Sequence, residues 1–192
     1  ISSQVGIEQS KNAIQSVALA SIGIILFLAY AFRQVPKPFT SWEFGLAAVL
    51  ALLHDAVIVV GAFAFLGHFY HAEIDPLFIT AILTVIGFSV HDTIVVFDRL
   101  RENLINRGSV NYDETVNDSL VETVGRSLSL TITAVLVLIA LLYWGADSLR
   151  WFVTALLIGM ISGTYSSIFV ATQLLLIFQN IKKNYLGKRF KY

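Results

Sequence analysis

Cysteine is absent from all 192 residues, which excludes disulfides and thiolate metal sites. Charge is scarce as well: Asp, Glu, Lys and Arg make up 14% of the chain, against about 25% in a soluble domain. Hydrophobic residues supply 56%, and the mean hydropathy is +0.74. A chain this apolar could not keep its surface wet if it folded in water. The formal net charge is zero, so bulk charge does not point to nucleic acid, and no nucleic-acid partner is expected. The sequence has no phosphate-binding loop, nucleophile elbow or metalloprotease motif. If energy drives this protein, it is not ATP bound to this chain, and no enzyme activity or cofactor is expected. Methionine occurs once, at Met160, so there is no initiator residue. The polar start Ile1–Lys11 lacks the basic and then apolar pattern of a secretory signal.

What is abundant is long apolar runs. Crossing a hydrocarbon core of ~30 Å takes about 20 residues of helix. Five stretches qualify: 13–32, 44–67, 76–97, 127–144 and 151–178. The first ends at Arg33 and the turn Pro36-Lys37-Pro38, the second holds no Lys or Arg, and the third starts with Pro76 in its first turn. The expected fold class is therefore an all-α polytopic membrane protein with five transmembrane helices. Residues 1–12 would precede the membrane domain, 13–178 would form it, and 179–192 would be a basic tail. The stretch 98–125 reads as an amphipathic connector on the membrane surface, broken by Gly108, with Asn111 or Asp113 capping its second half.

Basic residues set the orientation. Alternate loops place Arg33, Lys37, Arg99, Arg101, Arg107, Lys182, Lys183, Lys188, Arg189 and Lys191 on one side, with Arg126 at its boundary. Only Lys11 and Arg150 fall on the other. The N-terminus is expected outside and the C-terminus in the cytoplasm, with Trp42, Tyr143, Trp144 and Trp151 at the interfaces. Five helices with an outside start and no signal imply one further helix upstream.

Ionisable residues within the spans are the functional candidates, because a charge in hydrocarbon normally faces a cavity or a partner. Asp92 sits five residues before Phe97, roughly 8 Å from the cytoplasmic edge at 1.5 Å per residue. Arg126, at the start of the next span, could turn inward to pair with it or snorkel outward as an anchor. Asp55 falls near the midplane, where it must carry a proton or find a partner. His54 beside it is expected on a different face, and His91 precedes Asp92. Asp55, Asp92 and Arg126, with His54 and His91, make a candidate proton relay. Gly159 and Gly163 form a small-residue packing face, followed by Thr164, Ser166 and Ser167, which can hydrogen-bond between helices. His68, His71, Glu73 and Asp75 crowd one loop, but without cysteine or a rigid spacing they read as solvated, not as a metal site.

The run IGFSVHDTIVVFDRLREN, Ile86–Asn103, resembles the fourth-helix signature of the SecF family of protein-export membrane proteins. Leu53–Asp55 resembles its third-helix motif, Asn117–Ser127 the entry to its fifth helix, and Ile158–Gly159 with Gly163–Ala171 its sixth. Ser2–Gly6 is similar to the end of the family's external domain. The related SecD pattern usually reads Phe-Glu-Arg where this chain has Phe97-Asp98-Arg99. His91 stands where Asn is common, and Ser127–Thr133 is less rich in Thr and Ser than usual. The resemblance implies membership of the resistance–nodulation–division superfamily. It also implies a bacterial cytoplasmic-membrane location and five spans equivalent to family helices two to six. They would form half of a twelve-helix bundle shared with SecD, the first helix and most of the external domain being absent. It further implies an accessory subunit of the Sec translocase that uses the proton-motive force, with protons as coupling ion and Asp92 and Arg126 in proton conduction. Implied partners are SecD, the SecY–SecE–SecG channel, YajC, YidC, the unfolded preprotein and lipid. A passive scaffold, or half of a proton-driven small-molecule exporter, are the competing readings.

Overall fold

The computed structural model describes the backbone of residues 3–33, 35, 39–72, 74–107 and 112–189. Side chains are described for 11, 12, 15–33, 35, 39–72, 74–106 and 112–182. The expected features at Pro36–Pro38, Glu73, Gly108 and Asn111 lie outside these residues, as do the side chains of Arg107, Lys183, Lys188, Arg189 and Lys191.

Five helical rods make up the described chain, and it contains no strand. They are α1 (Ser3–Ala31), α2 (Ser41–Tyr70), α3 (Pro76–Arg107), α4 (Tyr112–Trp144) and a rod built from three consecutive pieces. That rod is α5 (Arg150–Ser166), a π-helical turn (Ser167–Ala171) and α6 (Thr172–Arg189). Four helical stretches are long and apolar enough to cross a membrane: Ser41–Tyr70, Pro76–Asn106, Tyr112–Trp144 and Asp147–Lys182. In α1 the described apolar part, Gln15–Ala31, is shorter. The protein is a multi-pass membrane protein: several helices have the length and apolar composition to cross a bilayer, where a helix satisfies its own backbone polar groups.

Local chemistry fixes the ends. Before α2 the Thr40 N–H donates to Glu43 Oε2 at 2.8 Å, and at its far end His71 turns into the left-handed region with φ 55°. The Asp75 carboxylate accepts the Phe78 N–H at 2.8 Å, capping α3 behind Pro76. Asp113 lies in the first turn of α4, where acidic side chains suit the helix dipole. At Gly145 a Cβ would lie 2.2 Å from the Leu141 carbonyl oxygen, so α4 stops at a residue that has none.

The connector differs from its expectation. Residues 98–107 continue α3 and 112–126 open α4, so both helices run beyond the span and pack on each other instead of lying flat. No helix breaker occurs before Gly108, and the polar residues here find partners across the pair. Asn103 Nδ2 donates to Ser119 Oγ at 3.0 Å, and Arg99 Nε donates to Glu122 Oε2 at 2.6 Å. The bond to Glu122, and then that to Glu102, raise the Arg99 pKa above its ordinary value. Likewise α1 begins at Ser3, so 3–12 are helical and continuous with the first span.

Packing is centred on α3, which touches α2, α4 and α5, while α1 lies against α2. Two apolar clusters cap the bundle. At the end holding Arg33 and Lys182, Phe44 stacks on Phe32 at 5.1 Å and meets Phe97 edge-on at 4.9 Å, with Leu100, Leu104 and Leu175 around them. At the opposite end, Val59, Phe63, Phe78, Ala81 and Ala155 pack together. The polar layer between them holds the candidate site.

Candidate functional site: two aspartates in a layer of hydroxyls

Asp55 lies at the midpoint of the 30-residue α2 and is fully buried. Its Oδ2 accepts from Ser89 Oγ on α3 and from Ser166 Oγ on α5, both at 2.6 Å. Its Oδ1 accepts from Ser162 Oγ at 2.9 Å. All three hydroxyls are buried. The His54 ring corrects the sequence expectation: its Nδ1 stands 3.2 Å from Asp55 Oδ1. Successive helical residues diverge by about 100°, yet the imidazole reaches its neighbour's carboxyl. The His54 side chain is 33% exposed while that of Asp55 is 0%. His54 therefore links the buried carboxyl to the surface of the bundle.

Asp92 lies three residues beyond Ser89 on α3, less than one helical turn, and is 5% exposed. It accepts from Ser127 Oγ of α4, and its Oδ2 accepts from Ser167 Oγ at 2.8 Å. Ser166 and Ser167 are adjacent, so one dipeptide of the fifth rod touches both aspartates. The two carboxyls thus form one layer, where the sequence suggested a pair near one membrane face and a separate group at the midplane. A π-turn starts at Ser167 itself; such turns occur often at functional sites.

Arg126 does not reach Asp92. It is exposed, forms no ion pair among the described residues, and lines a groove of about 320 Å³ with Val95, Asp98, Arg99, Glu102, Glu122 and Thr123. The reason is helical phase. On α4 the buried positions Thr115, Ser119, Thr123, Ser127 and Thr131 recur every four residues, and Arg126 falls off that stripe. His91 is exposed on α3 and has no hydrogen-bond partner among the described residues.

Gly159 and Gly163 face α3. A Cβ on Gly159 would lie 2.2 Å from Val85 Cγ2, and one on Gly163 would lie 3.0 Å from Ser89 Cβ. Their bare backbones let α5 approach closely enough for Ser162 and Ser166 to reach Asp55. Among the described residues no group of three His, Asp or Glu side chains could hold a metal ion.

Sequence reasoning missed Ser89, Ser127 and Ser162 as partners of the aspartates. The signal was present: hydroxyl residues every fourth position on α4, and Ser162 and Ser166 four apart on α5. Chemically, hydroxyls suit a carboxyl that changes protonation state, since they donate to the anion and accept from the acid.

Comparison with known proteins agrees with this architecture. The family described as "Protein export membrane protein SecD/SecF, C-terminal" matches residues 1–181. A protein translocase subunit SecF from Thermobaculum terrenum is 51% identical over 92% of this chain and 55% of its own length. A protein translocase subunit SecDF from Bacillus subtilis is 40% identical over 91% of this chain and 22% of its own. The crystal structure of a SecDF in its super-membrane-facing form superimposes with a TM-score of 0.83 at 34% identity, covering 98% of this chain and 24% of that one. The chain spans about half the length of the SecF relatives it matches. By the match over nearly its whole length, the chain belongs to the SecD/SecF family of protein-export membrane proteins.

Proposed function

We propose that this chain is the SecF-type membrane half of an accessory subunit of the bacterial Sec translocase. In this reading it promotes protein export with the proton-motive force. The observation that carries the reading is the buried layer of Asp55 and Asp92, held between two apolar clusters and bonded almost wholly to hydroxyls. Two carboxyls deep in a membrane bundle are costly, and residues kept at such a cost mark functional sites. Here each has donors that serve it ionised and acceptors that serve it protonated.

Protons entering the layer would load and unload Asp92, whose bonds to Ser127 on α4 and Ser167 on the fifth rod tie helix packing to its protonation. Repacking of α4 would then be passed to the external domain of the complete protein. The exposed face of α3 and α4, with His91, Asp98, Gly125, Arg126 and Ser129, suits a SecD half as its partner. A polar stripe in lipid would be unfavourable, and Arg126 has room there for a carboxylate from that half. The location follows as the bacterial cytoplasmic membrane with a cytoplasmic C-terminus. SecY–SecE–SecG, YajC and YidC are neighbours in the assembly and the unfolded preprotein is the cargo.

Asp92→Asn in the full-length protein tests the reading. Export driven by the proton-motive force falls at least tenfold while insertion and recovery of the complex are unchanged. Unaltered export in that variant would leave the chain a passive scaffold.

A further inference from the structure

The hydroxyls of Ser166 and Ser167 each have one proton and more than one acceptor. Ser166 Oγ stands 2.6 Å from Asp55 Oδ2 and 3.1 Å from the Gly163 carbonyl oxygen. Ser167 Oγ stands 2.8 Å from Asp92 Oδ2, 2.6 Å from the same Gly163 oxygen and 3.3 Å from that of Thr164. The Gly163 oxygen also accepts the Ser167 backbone N–H, which it shares with Thr164. A carbonyl oxygen carries two lone pairs. With one engaged by the amide, one is left for a hydroxyl, and two serines compete for it.

We propose that this shared acceptor couples the two aspartates, so that the layer holds one proton at either Asp55 or Asp92 in alternation. The inference rests on the proton-coupled reading above and specifies its internal linkage. When Asp92 takes a proton, its carboxyl O–H donates to Ser167 Oγ, and the Ser167 proton turns to Gly163, whose oxygen at 2.6 Å is much nearer than that of Thr164 at 3.3 Å. That fills the free lone pair, so Ser166 keeps its proton on Asp55, which stays ionised. The opposite arrangement follows when Asp55 takes the proton. No covalent bond to carbon changes; each loading step binds one proton and rotates one hydroxyl, and both hydroxyls rotate when the proton passes from one aspartate to the other. Ser166 and Ser167 are positioning residues in this scheme.

The other groups around the layer do not provide the link. Asp55 faces Ser89 from α3, Ser162 from α5 and the His54 ring from its own helix. Asp92 faces Ser127 from α4. The nearby cation Arg126 and the imidazole of His91 are exposed and bond to neither aspartate. Among the described residues, only the Ser166–Ser167 dipeptide hydrogen-bonds to both carboxyls.

Through-space repulsion between two carboxylates would act in the same direction, so the experiment must separate the routes. The full-length complex is reconstituted in lipid vesicles. The carboxyl C=O infrared band lost in Asp92→Asn is followed against pH. In the parent protein, Asp55→Asn moves the midpoint of that band by about tenfold in proton concentration. In a Ser166→Ala background, the same change moves it by less than about twofold, although Ser166 does not touch Asp92. Ser166→Thr, which keeps the hydroxyl, retains the full effect and controls for packing. An equal shift with and without the Ser166 hydroxyl overturns the proposal and assigns the coupling to repulsion. No shift in either background overturns it too, while leaving Asp92 as an independent proton site. If the Asp92 band does not titrate at all, both this linkage and the proton-coupled reading fail.

Discussion

Helices α4 and α5 both pack against α3, yet they meet their neighbours by different means. The buried positions of α4 are hydroxyl residues at four-residue spacing, with Val116 and Leu138 the apolar exceptions. Those of α5 mix Val153, Ala155, Gly159 and Gly163 with the hydroxyls of Ser162, Thr164 and Ser166, and its two glycines bring α5 into a close seam with α3 at Val85 and Ser89. Within a bilayer the hydrophobic effect does not drive helices together, so contact area and hydrogen bonds decide. The α5 seam has interlocking surfaces in direct contact, whereas α4 is tied in by hydrogen bonds such as Ser127 to Asp92 of α3 and Thr131 to Thr164 of α5. One seam is fixed by shape and the other is set by protons, which fits α5 as frame and α4 as the part that responds.

The strongest way to break this contrast is to fill the α5 seam. Gly159→Val places branched carbons where a single Cβ already falls 2.2 Å from Val85 Cγ2. Overpacking of that kind costs about 3 kcal/mol, read as a clear fall in the thermal midpoint of the purified complex. Adding Val85→Gly moves the bulk to the other side of the contact and restores part of the loss. A tolerant Gly159→Val would mean the helices are not held by shape. Next in size is Asp55→Leu, which takes the shared acceptor from Ser89, Ser162 and Ser166 together. Leaving buried hydroxyls unsatisfied costs about 2 kcal/mol, and thermal unfolding measures it. Asp55→Asn, which keeps an acceptor oxygen, recovers most of that.

Sequence and structure part company along the same division. Four long spans were readable because each rises well above the hydropathy of its flanks, a requirement lipid imposes on any helix that crosses it. The close approach of α5 was readable at Gly159 and Gly163, since paired small residues have few other uses in an apolar helix. The surroundings of Asp92 were not. Opposite charge is the obvious partner for a buried carboxylate, and Arg126 lies next to Ser127 in sequence. Yet one residue on a helix is about 100° of rotation, and it is Ser127 that faces inward. The His54–Asp55 contact was hidden for a related reason, since phase alone does not report how far a ring can lean. The extensions of α3 and α4 past the span were hidden because their polar sequence suits a surface strand of connector as well as a helix pair. Cross-pairs such as Asn103–Ser119 and Arg99–Glu122 distinguish the two.

The smallest expected effect tests the responsive seam itself. Thr131 Oγ1 and Thr164 Oγ1 lie 2.5 Å apart between α4 and α5, both buried. Among the described residues the Thr131 side chain has no other hydrogen-bond partner, whereas Thr164 Oγ1 also reaches the Met160 carbonyl at 3.1 Å. Replacing either by Val keeps the shape and removes the bond. In a double-mutant cycle of Thr131→Val and Thr164→Val, the coupling energy should be about 0.6 kcal/mol, the usual size for one hydrogen bond between membrane helices. Thermal unfolding of the four proteins supplies it. The energy is small because Thr164 can fall back on its own helix, and that is what a moving seam requires: each bond must be weak enough to exchange. A coupling several times larger would make the α4 seam as rigid as that of α5, and the assignment of α4 as the responsive helix would fail.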